Sequence, residues 1–286
     1  MSRAIPVAAT IAELRAFVRA RRAAGERIGL VPTMGALHDG HLSLIETARR
    51  RAKRVIATIF VNPTQFGANE DFSRYPRTFD ADCARLATVE ADLVFAPSVT
   101  EMYPPGFAAT ISLAGPATAG LEDRFRPTHF AGVATVVAKL LNQAQADIAV
   151  FGEKDYQQLL VIRQMARDLD IPTEIIGAPT LREADGLARS SRNVYLSPDE
   201  RVRAPALYRA LDAAAGAIAA GTKIEEALAP ARRAVEKAGF DLDYIEARDA
   251  QTLAPVKESA PGALRILAAA RLGATRLIDN VDAQLA

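Results

Sequence analysis

Val31-Pro32-Thr33-Met34-Gly35-Ala36-Leu37-His38-Asp39-Gly40-His41 is the stretch on which the fold turns. An apolar strand, Ile28 to Val31, runs into it. A helix runs out of it, from His41 to Arg54, with Leu44, Ile45, Ala48 and Ala52 spaced to form one buried face. Two of the chain's three histidines close the turn between them. A strand, a Gly-bearing turn and a helix start make an anion site, because backbone N–H groups and the positive helix end converge there. Two imidazoles add side-chain donors for phosphate oxygens, and Gly40 allows close approach to the backbone. The plainer alternative is a turn capped by Asp39 with incidental histidines. No third His or Cys is placed to complete a zinc site, so no protein-built metal site is expected.

Outward from this stretch the chain alternates strands and helices. Thr10 caps a helix over Ile11 to Ala24, which Gly25 ends. Val55 to Val61 is apolar and β-branched, as in a strand buried on both faces of a parallel sheet. The polar segment Asn62 to Arg77 is long for a loop in a compact domain, which points to function. A helix over Asp80 to Val89 and a strand over Leu93 to Ala96 follow. Ser98 to Arg126 reads as loop, with a short strand at Thr110 to Leu113. Then come a helix at Gly132 to Gln143, a strand at Ile148 to Phe151, the turn Gly152-Glu153-Lys154-Asp155, a helix at Tyr156 to Leu169 and a strand at Thr173 to Ile176. Right-handed crossovers turn this order into an α/β, Rossmann-like doubly wound parallel sheet. Ligands bind outside the carboxyl ends of such strands, where the histidine turn, Asn62 to Gln65 and Gly152 to Asp155 all lie. After Gly177 the pattern changes to two Ala-rich helices (198–219 and 224–238) and strands at 242–247, 264–271 and 275–279. Residues 1–177 are thus expected to form the ligand-binding domain and 178–286 a smaller α+β domain.

Thirty-five Lys and Arg against 34 Asp and Glu leave a net charge of +1, which gives no general attraction to nucleic acid. No apolar run reaches the ~18 residues of a membrane span, and the start lacks a signal-peptide pattern. The lone Cys83 excludes an intrachain disulfide and reads as an inert thiol. A cytoplasmic protein with no membrane or nucleic-acid partner is expected.

His38-Asp39-Gly40-His41 resembles the HxGH signature of nucleotidyl-transferring enzymes, with Ser190-Ser191-Arg192 in the place of their later phosphate loop. The resemblance extends to Pro32–His38, Phe60-Val61-Asn62-Pro63-Thr64-Gln65-Phe66, Tyr75-Pro76-Arg77-Thr78, Pro127-Thr128-His129-Phe130-Ala131-Gly132, Phe151-Gly152-Glu153-Lys154-Asp155-Tyr156-Gln157-Gln158 and Ser190–Asn193, in this order. Together, from about residue 10 to 280, they resemble the pantoate–β-alanine ligase family. The resemblance implies an ATP-dependent condensation of pantoate with β-alanine through a pantoyl adenylate, with pyrophosphate and then AMP released.

It also implies roles for residues. Met34, Gly35, Ala36, Leu37, His38, Asp39, Gly40 and His41 would hold ATP, with His41 offsetting charge on the departing pyrophosphate beside His38. Gly152, Glu153, Lys154 and Asp155 would form the adenosine-side loop, Lys154 reaching the α-phosphate and Asp155 binding ribose or orienting Mg²⁺. The plainer reading of Lys154 and Asp155 is an ordinary first helical turn. Ser190, Ser191 and Arg192 would clamp the β- and γ-phosphates, and Leu181 would touch the adenine. Gln65 and Gln158 would bind pantoate, since neutral amides offer donors and acceptors without damping its carboxylate. Asn62 and Tyr75 would support them, and Gly67 to Arg77 would be a lid excluding water. A homodimer is a family expectation. Two departures stand out. Arg189 precedes the serines where the family commonly has Met, leaving it to tighten phosphate contact or to face solvent. Ala81 and Arg85 flank Asp82 where some relatives hold a structural Mg²⁺, so that site is not expected. Two other readings stay open: an HxGH transferase acting on a phosphorylated substrate such as phosphopantetheine, and a silent nucleotide-binding regulator.

Overall fold

The computed structural model describes residues 4–67, 72–256 and 262–285. In chain order its elements are β1 (Val7–Ala8), α1 (Ile11–Ala23), β2 (Ile28–Val31), α2 (Asp39–Arg49), β3 (Arg54–Thr58), α3 (Phe79–Thr88), β4 (Leu93–Phe95), α4 (Val99–Met102), α5 (Glu122–Phe125), α6 (His129–Ala144), β5 (Ile148–Gly152), α7 (Tyr156–Asp168), β6 (Glu174–Ala178), α8 (Pro198–Arg203), α9 (Ala206–Ala219), α10 (Ile224–Lys237), β7 (Phe240–Asp249), β8 (Gly262–Leu272) and β9 (Thr275–Leu285).

The first six strands form one parallel sheet in the order β1-β4-β3-β2-β5-β6. Every residue of β2 is buried, which is why it reads as an unbroken apolar run. Leu14 and Val18 of α1 pack on one face of the sheet with α6 and with Leu159, Ile162 and Met165 of α7. Leu44, Ile45 and Ala48 of α2 and Leu86 of α3 pack on the other. From β2 the chain moves outward to β3 and β4; it then returns to place β5 on the opposite side of β2. That reversal is the switch point, and the turns after β2 and β5 meet above it. Gly29 lets α2 sit close there: a Cβ at this position would lie 3.3 Å from the Cβ atoms of both Ala48 and Ala52.

The second sheet is antiparallel, in the order β7-β8-β9. α9 packs on β9 and α10 on β7 over a separate apolar core. Leu121 and Leu160 of the first part share a cluster with Tyr244 and Leu267 of the second, which seats the small sheet against α7.

Several expected bounds move, each for a physical reason. The helix expected from His41 begins at Asp39 and is capped by His38, so His41 lies inside its first turn. The strand expected to reach Val61 ends at Thr58, where Ile59 N–H turns to the carbonyl of Phe95 and Phe60 N–H to that of Thr33. Thr110 to Leu113 forms no strand, because Ile111 N–H finds the Thr135 hydroxyl at 2.9 Å instead. Pro205, which has no N–H, splits the expected 198–219 helix into α8 and α9.

Candidate active site

The turn after β2 is held from outside by a residue that no local pattern signals. The buried carboxylate of Asp82, in α3, accepts the N–H groups of Ala36 at 3.0 Å and Leu37 at 2.8 Å, and the Thr78 hydroxyl at 3.2 Å. Gly35 and Ala36 take positive φ angles of 82° and 50° to make that turn. Gly35 N–H bonds to Thr33 Oγ1. His38 N–H donates to Nδ1 of His41 at 3.3 Å, and Gly40 N–H donates to Nδ1 of His38 at 3.1 Å. The turn is therefore not the cradle of free backbone donors that its glycines predict, because its N–H groups at 35, 36, 37, 38 and 40 already have partners.

What the turn presents instead is two imidazoles. Their ring centroids lie 4.1 Å apart. Each Nδ1 accepts a backbone N–H, so each ring carries its proton on Nε2. Burial pushes the His41 imidazole down to about 3, aided by the charges of His38, Lys154 and Arg85. Burial, then the charges of Lys154 and Arg189, push His38 down to about 4, against the pull of Asp39. Both rings are thus neutral Nε2–H donors at neutral pH.

His38, Gly40 and His41 line one cleft together with Met34, Asn62, Gln65, Tyr75 and Gln158, and with Gly152, Lys154, Asp155, Leu181 and the run Arg189 to Arg192. The convergence expected at the strand ends is observed. Five residues expected to hold ATP do not line the cleft. Gly35 and Ala36 shape the turn, and Leu37 is buried in the core beneath α2. Asp39 pairs with Arg85 at 3.1 Å and with Arg189. Glu153 accepts from Arg265 at 3.1 Å.

The amide side is built on Asn62. Its buried side chain caps the 3₁₀ turn Pro63–Gln65, accepts the Tyr103 hydroxyl at 2.8 Å and donates to Gln65 Oε1 at 3.1 Å. Gln65 Nε2 points to the Met34 sulfur at 3.0 Å, and its carbonyl accepts from His129 and Arg126. Gly132 has to lack a side chain here, since a Cβ would meet the Thr64 carbonyl oxygen at 2.3 Å. Gln157 and Gln158 separate cleanly. Gln157 is buried and bonds Glu122, Pro116 and Asp123, whereas Gln158 lines the cleft with no side-chain hydrogen bond among the described residues. Tyr75 is buried edge-on to Phe66. Of the expected lid, residues 68–71 lie outside the described residues.

The loops that carry Lys154 and Ser190 rest on β9. Asn280, buried, donates to the carbonyls of Glu153 at 3.0 Å and Lys154 at 2.9 Å, and accepts from Arg265 Nε at 2.6 Å. Arg265 lies 4.0 Å over the Tyr156 ring. Asp279 grips Arg182 through two bonds of 2.7 and 2.9 Å, steadying the hairpin that leads to Ser190. Ser190 Oγ caps the following 3₁₀ turn by accepting Arg192 N–H. Lys154 has no ion-pair partner among the described residues and lines the cleft. Arg189 lines the cleft half-buried, and its guanidinium joins Asp39 to Glu183, the latter at 3.1 Å. Asp82, Asn280, Asp279, Arg182 and Arg265 were not legible in the sequence, because each acts across a long sequence separation.

The family model for pantoate-beta-alanine ligase matches residues 6–282. Pantothenate synthetase 2 of Bradyrhizobium diazoefficiens is 58% identical over 281 residues, covering 98% of this chain and 99% of that protein. The pantothenate synthetase of Rhodopseudomonas palustris strain BisA53 is 56% identical over the same shares. The crystal structure of pantothenate synthetase from Thermus thermophilus superposes with a TM-score of 0.91 at 50% identity, covering 97% of this chain and 99% of that one. Pantoate-beta-alanine ligase from Francisella tularensis, complexed with beta-gamma ATP and beta-alanine, gives 0.79 at 35% identity over 97% of each chain. With the family model and these relatives matching nearly its whole length, the chain belongs to the pantoate–β-alanine ligase family.

Proposed function

We propose that this protein joins pantoate to β-alanine at the expense of ATP, through a pantoyl adenylate. The observation that carries the reading is that one cleft is lined by two chemistries. Neutral amides, Gln65 and Gln158, line it. Nε2–H imidazoles, Lys154 and the Ser190–Arg192 run line it with them. In the first step a pantoate carboxylate oxygen attacks the α-phosphorus, and the bond to the bridging oxygen breaks with its electron pair on pyrophosphate. Such a transfer needs alignment and charge neutralisation more than covalent help. Lys154 and Arg192 supply positive charge, Ser190 and Ser191 supply hydroxyls, and His38 and His41 supply oriented donors. Because both rings are neutral, His41 acts on the leaving oxygens as a fixed hydrogen-bond donor rather than as a proton source. Gln65 and Gln158 offer the hydroxyls and carboxylate of pantoate neutral donors and acceptors. In the second step the β-alanine amine attacks the acyl carbon and AMP leaves.

Asp155 is the exposed carboxylate of the cleft. One carboxylate plus phosphate oxygens is the donor set Mg²⁺ prefers, so these residues fit a magnesium ion that arrives with ATP and neutralises phosphate charge. A division at about residue 177, a homodimer and a cytoplasmic location complete the proposal. The family expectation supports the dimer, and the lone Cys83 supports a reducing compartment.

The test incubates the protein with MgATP, pantoate and β-alanine, omitting each in turn, and follows AMP, pyrophosphate and pantothenate. AMP release that requires all three substrates is expected. Folded protein that releases no AMP above background with the full set would end this reading.

A further inference from the structure

Beyond Lys154, Ser190 and Arg192 the cleft meets a second and larger cavity, of about 670 Å³. The two share those residues and Asp155, so they join at the phosphate clamp. At ~30 Å³ per water, the second has room on the order of twenty water molecules, ample for a hydrated small anion. Its wall is formed by the β8–β9 hairpin tip, the segment before α6 and the 3₁₀ turn after Ser190.

The wall is strongly cationic. Six of its residues are Lys or Arg and two are acidic. One acid, Glu122, is already neutralised by Arg276 through bonds of 2.6 and 2.8 Å, and it also accepts the Tyr244 hydroxyl. Arg126 is turned toward the Gln65 carbonyl and His129. Arg74 and Arg271 differ: both are exposed, both line the cavity, and neither side chain has an ion-pair or hydrogen-bond partner among the described residues.

We propose that this chamber binds inorganic pyrophosphate on its way out of the clamp, with Arg74 and Arg271 as the residues that draw it in. The proposal rests on the ligase reading above. When the carboxylate–phosphorus bond forms, pyrophosphate departs with the electron pair of the broken bond and carries several negative charges. The adenylate stays in the first cavity, beside the amides. Pyrophosphate left at the clamp stays in line to attack the adenylate and regenerate ATP. Unpaired guanidiniums a few steps outward lower its energy away from that position, and their field acts over several ångströms without their touching ATP. A surplus of cations suits a polyanion; the single carboxylate of β-alanine needs only one.

The test uses the full-length protein and the variants Arg271→Ala, Arg74→Ala and the double variant Arg74→Glu/Arg271→Glu, with folding checked by circular dichroism. Pantothenate formation is measured with increasing inorganic pyrophosphate. Pyrophosphate added from solution fills the chamber and blocks the exit of newly formed pyrophosphate, so each single variant should need roughly three- to fivefold more of it for half inhibition, the scale of one exposed charge pair. The KM values for ATP and β-alanine should stay within about twofold. Phosphorus NMR line broadening of pyrophosphate by the protein without ATP should weaken in parallel, and this arm does not depend on ligase turnover. Unchanged pyrophosphate inhibition and broadening in the folded double Glu variant would overturn the proposal. A raised KM for β-alanine with unchanged pyrophosphate inhibition would overturn it too, by assigning the chamber to the carboxylate of that substrate.

Discussion

Lowering the pH from 7.5 to 5 is expected to destabilise the fold through His38 and His41, and the size follows from their surroundings. In the unfolded chain both imidazoles have the ordinary value of 6.5; in the folded protein they lie at about 4 and about 3. A group whose value is depressed on folding gives its full stabilisation above the unfolded value and loses it as the pH falls toward the folded one. At pH 5 the unfolded chain holds both protons and the folded protein neither. Being ~1.5 units below 6.5, at 1.36 kcal/mol per unit, this costs about 2 kcal/mol for each ring. His38 is half-buried, so solvent screening trims its share and the pair loses about 3 kcal/mol, a sizeable part of the ~5–15 kcal/mol that holds a typical domain folded. The assay is urea unfolding at both pH values, for the parent and for His38→Asn/His41→Gln, in which an Asn keeps the cap on α2. The pH-dependent loss should be about 3 kcal/mol smaller in the variant. Equal losses in both proteins would refute the neutral, buried assignment and with it the fixed-donor role of His41.

Three further outcomes follow from the supports of the site. Asp82→Ala should cost about 2–3 kcal/mol in unfolding experiments, because two buried N–H groups lose their acceptor, and it should raise the ATP requirement; an unchanged stability would remove Asp82 from the turn's support. Asn280→Ala should lower single-turnover adenylate formation roughly tenfold through a displaced Lys154 while leaving the pantoate KM within about twofold; equal effects on both would mark it as a general folding residue. Arg189→Met should change stability by no more than about 1 kcal/mol, yet raise the His38 titration midpoint seen by NMR, since the Arg189 charge pushes that ring down; an unmoved His38 midpoint would contradict the observed pairing.

The parallel sheet was legible because β2, β3 and β5 are buried on both faces and therefore read as continuous apolar runs. The cleft was legible at the residues the motifs single out: His38, His41, Lys154, Gln65, Gln158 and Ser190 to Arg192 all converge. The start of α2 was misjudged because a histidine replaces the usual Ser, Thr, Asp or Asn cap. The free backbone donors were misjudged because the partner that uses them, Asp82, comes from a helix more than forty residues on. The ion pairs of Arg189 were hidden for the same reason, since Asp39 lies 150 residues before it.

The small sheet does more than extend the chain. Successive side chains of a strand point to opposite faces, and in β9 two consecutive residues serve different loops. Asp279 holds Arg182, at the base of the hairpin that delivers Ser190 to Arg192. Asn280 holds the carbonyls of Glu153 and Lys154. The two cationic stretches that line the cleft come from opposite ends of the 152–192 segment, and neither has a sequence pattern that would fix its distance from the other. One strand passing between them does so. Arg265 reinforces it, bonding to Asn280 on the same sheet and to Glu153 beside Lys154. The histidine turn is anchored separately, by Asp82 from below and by Arg189 through Asp39. The donors of the cleft thus form two preassembled halves, each kept in place by residues distant from it in the sequence.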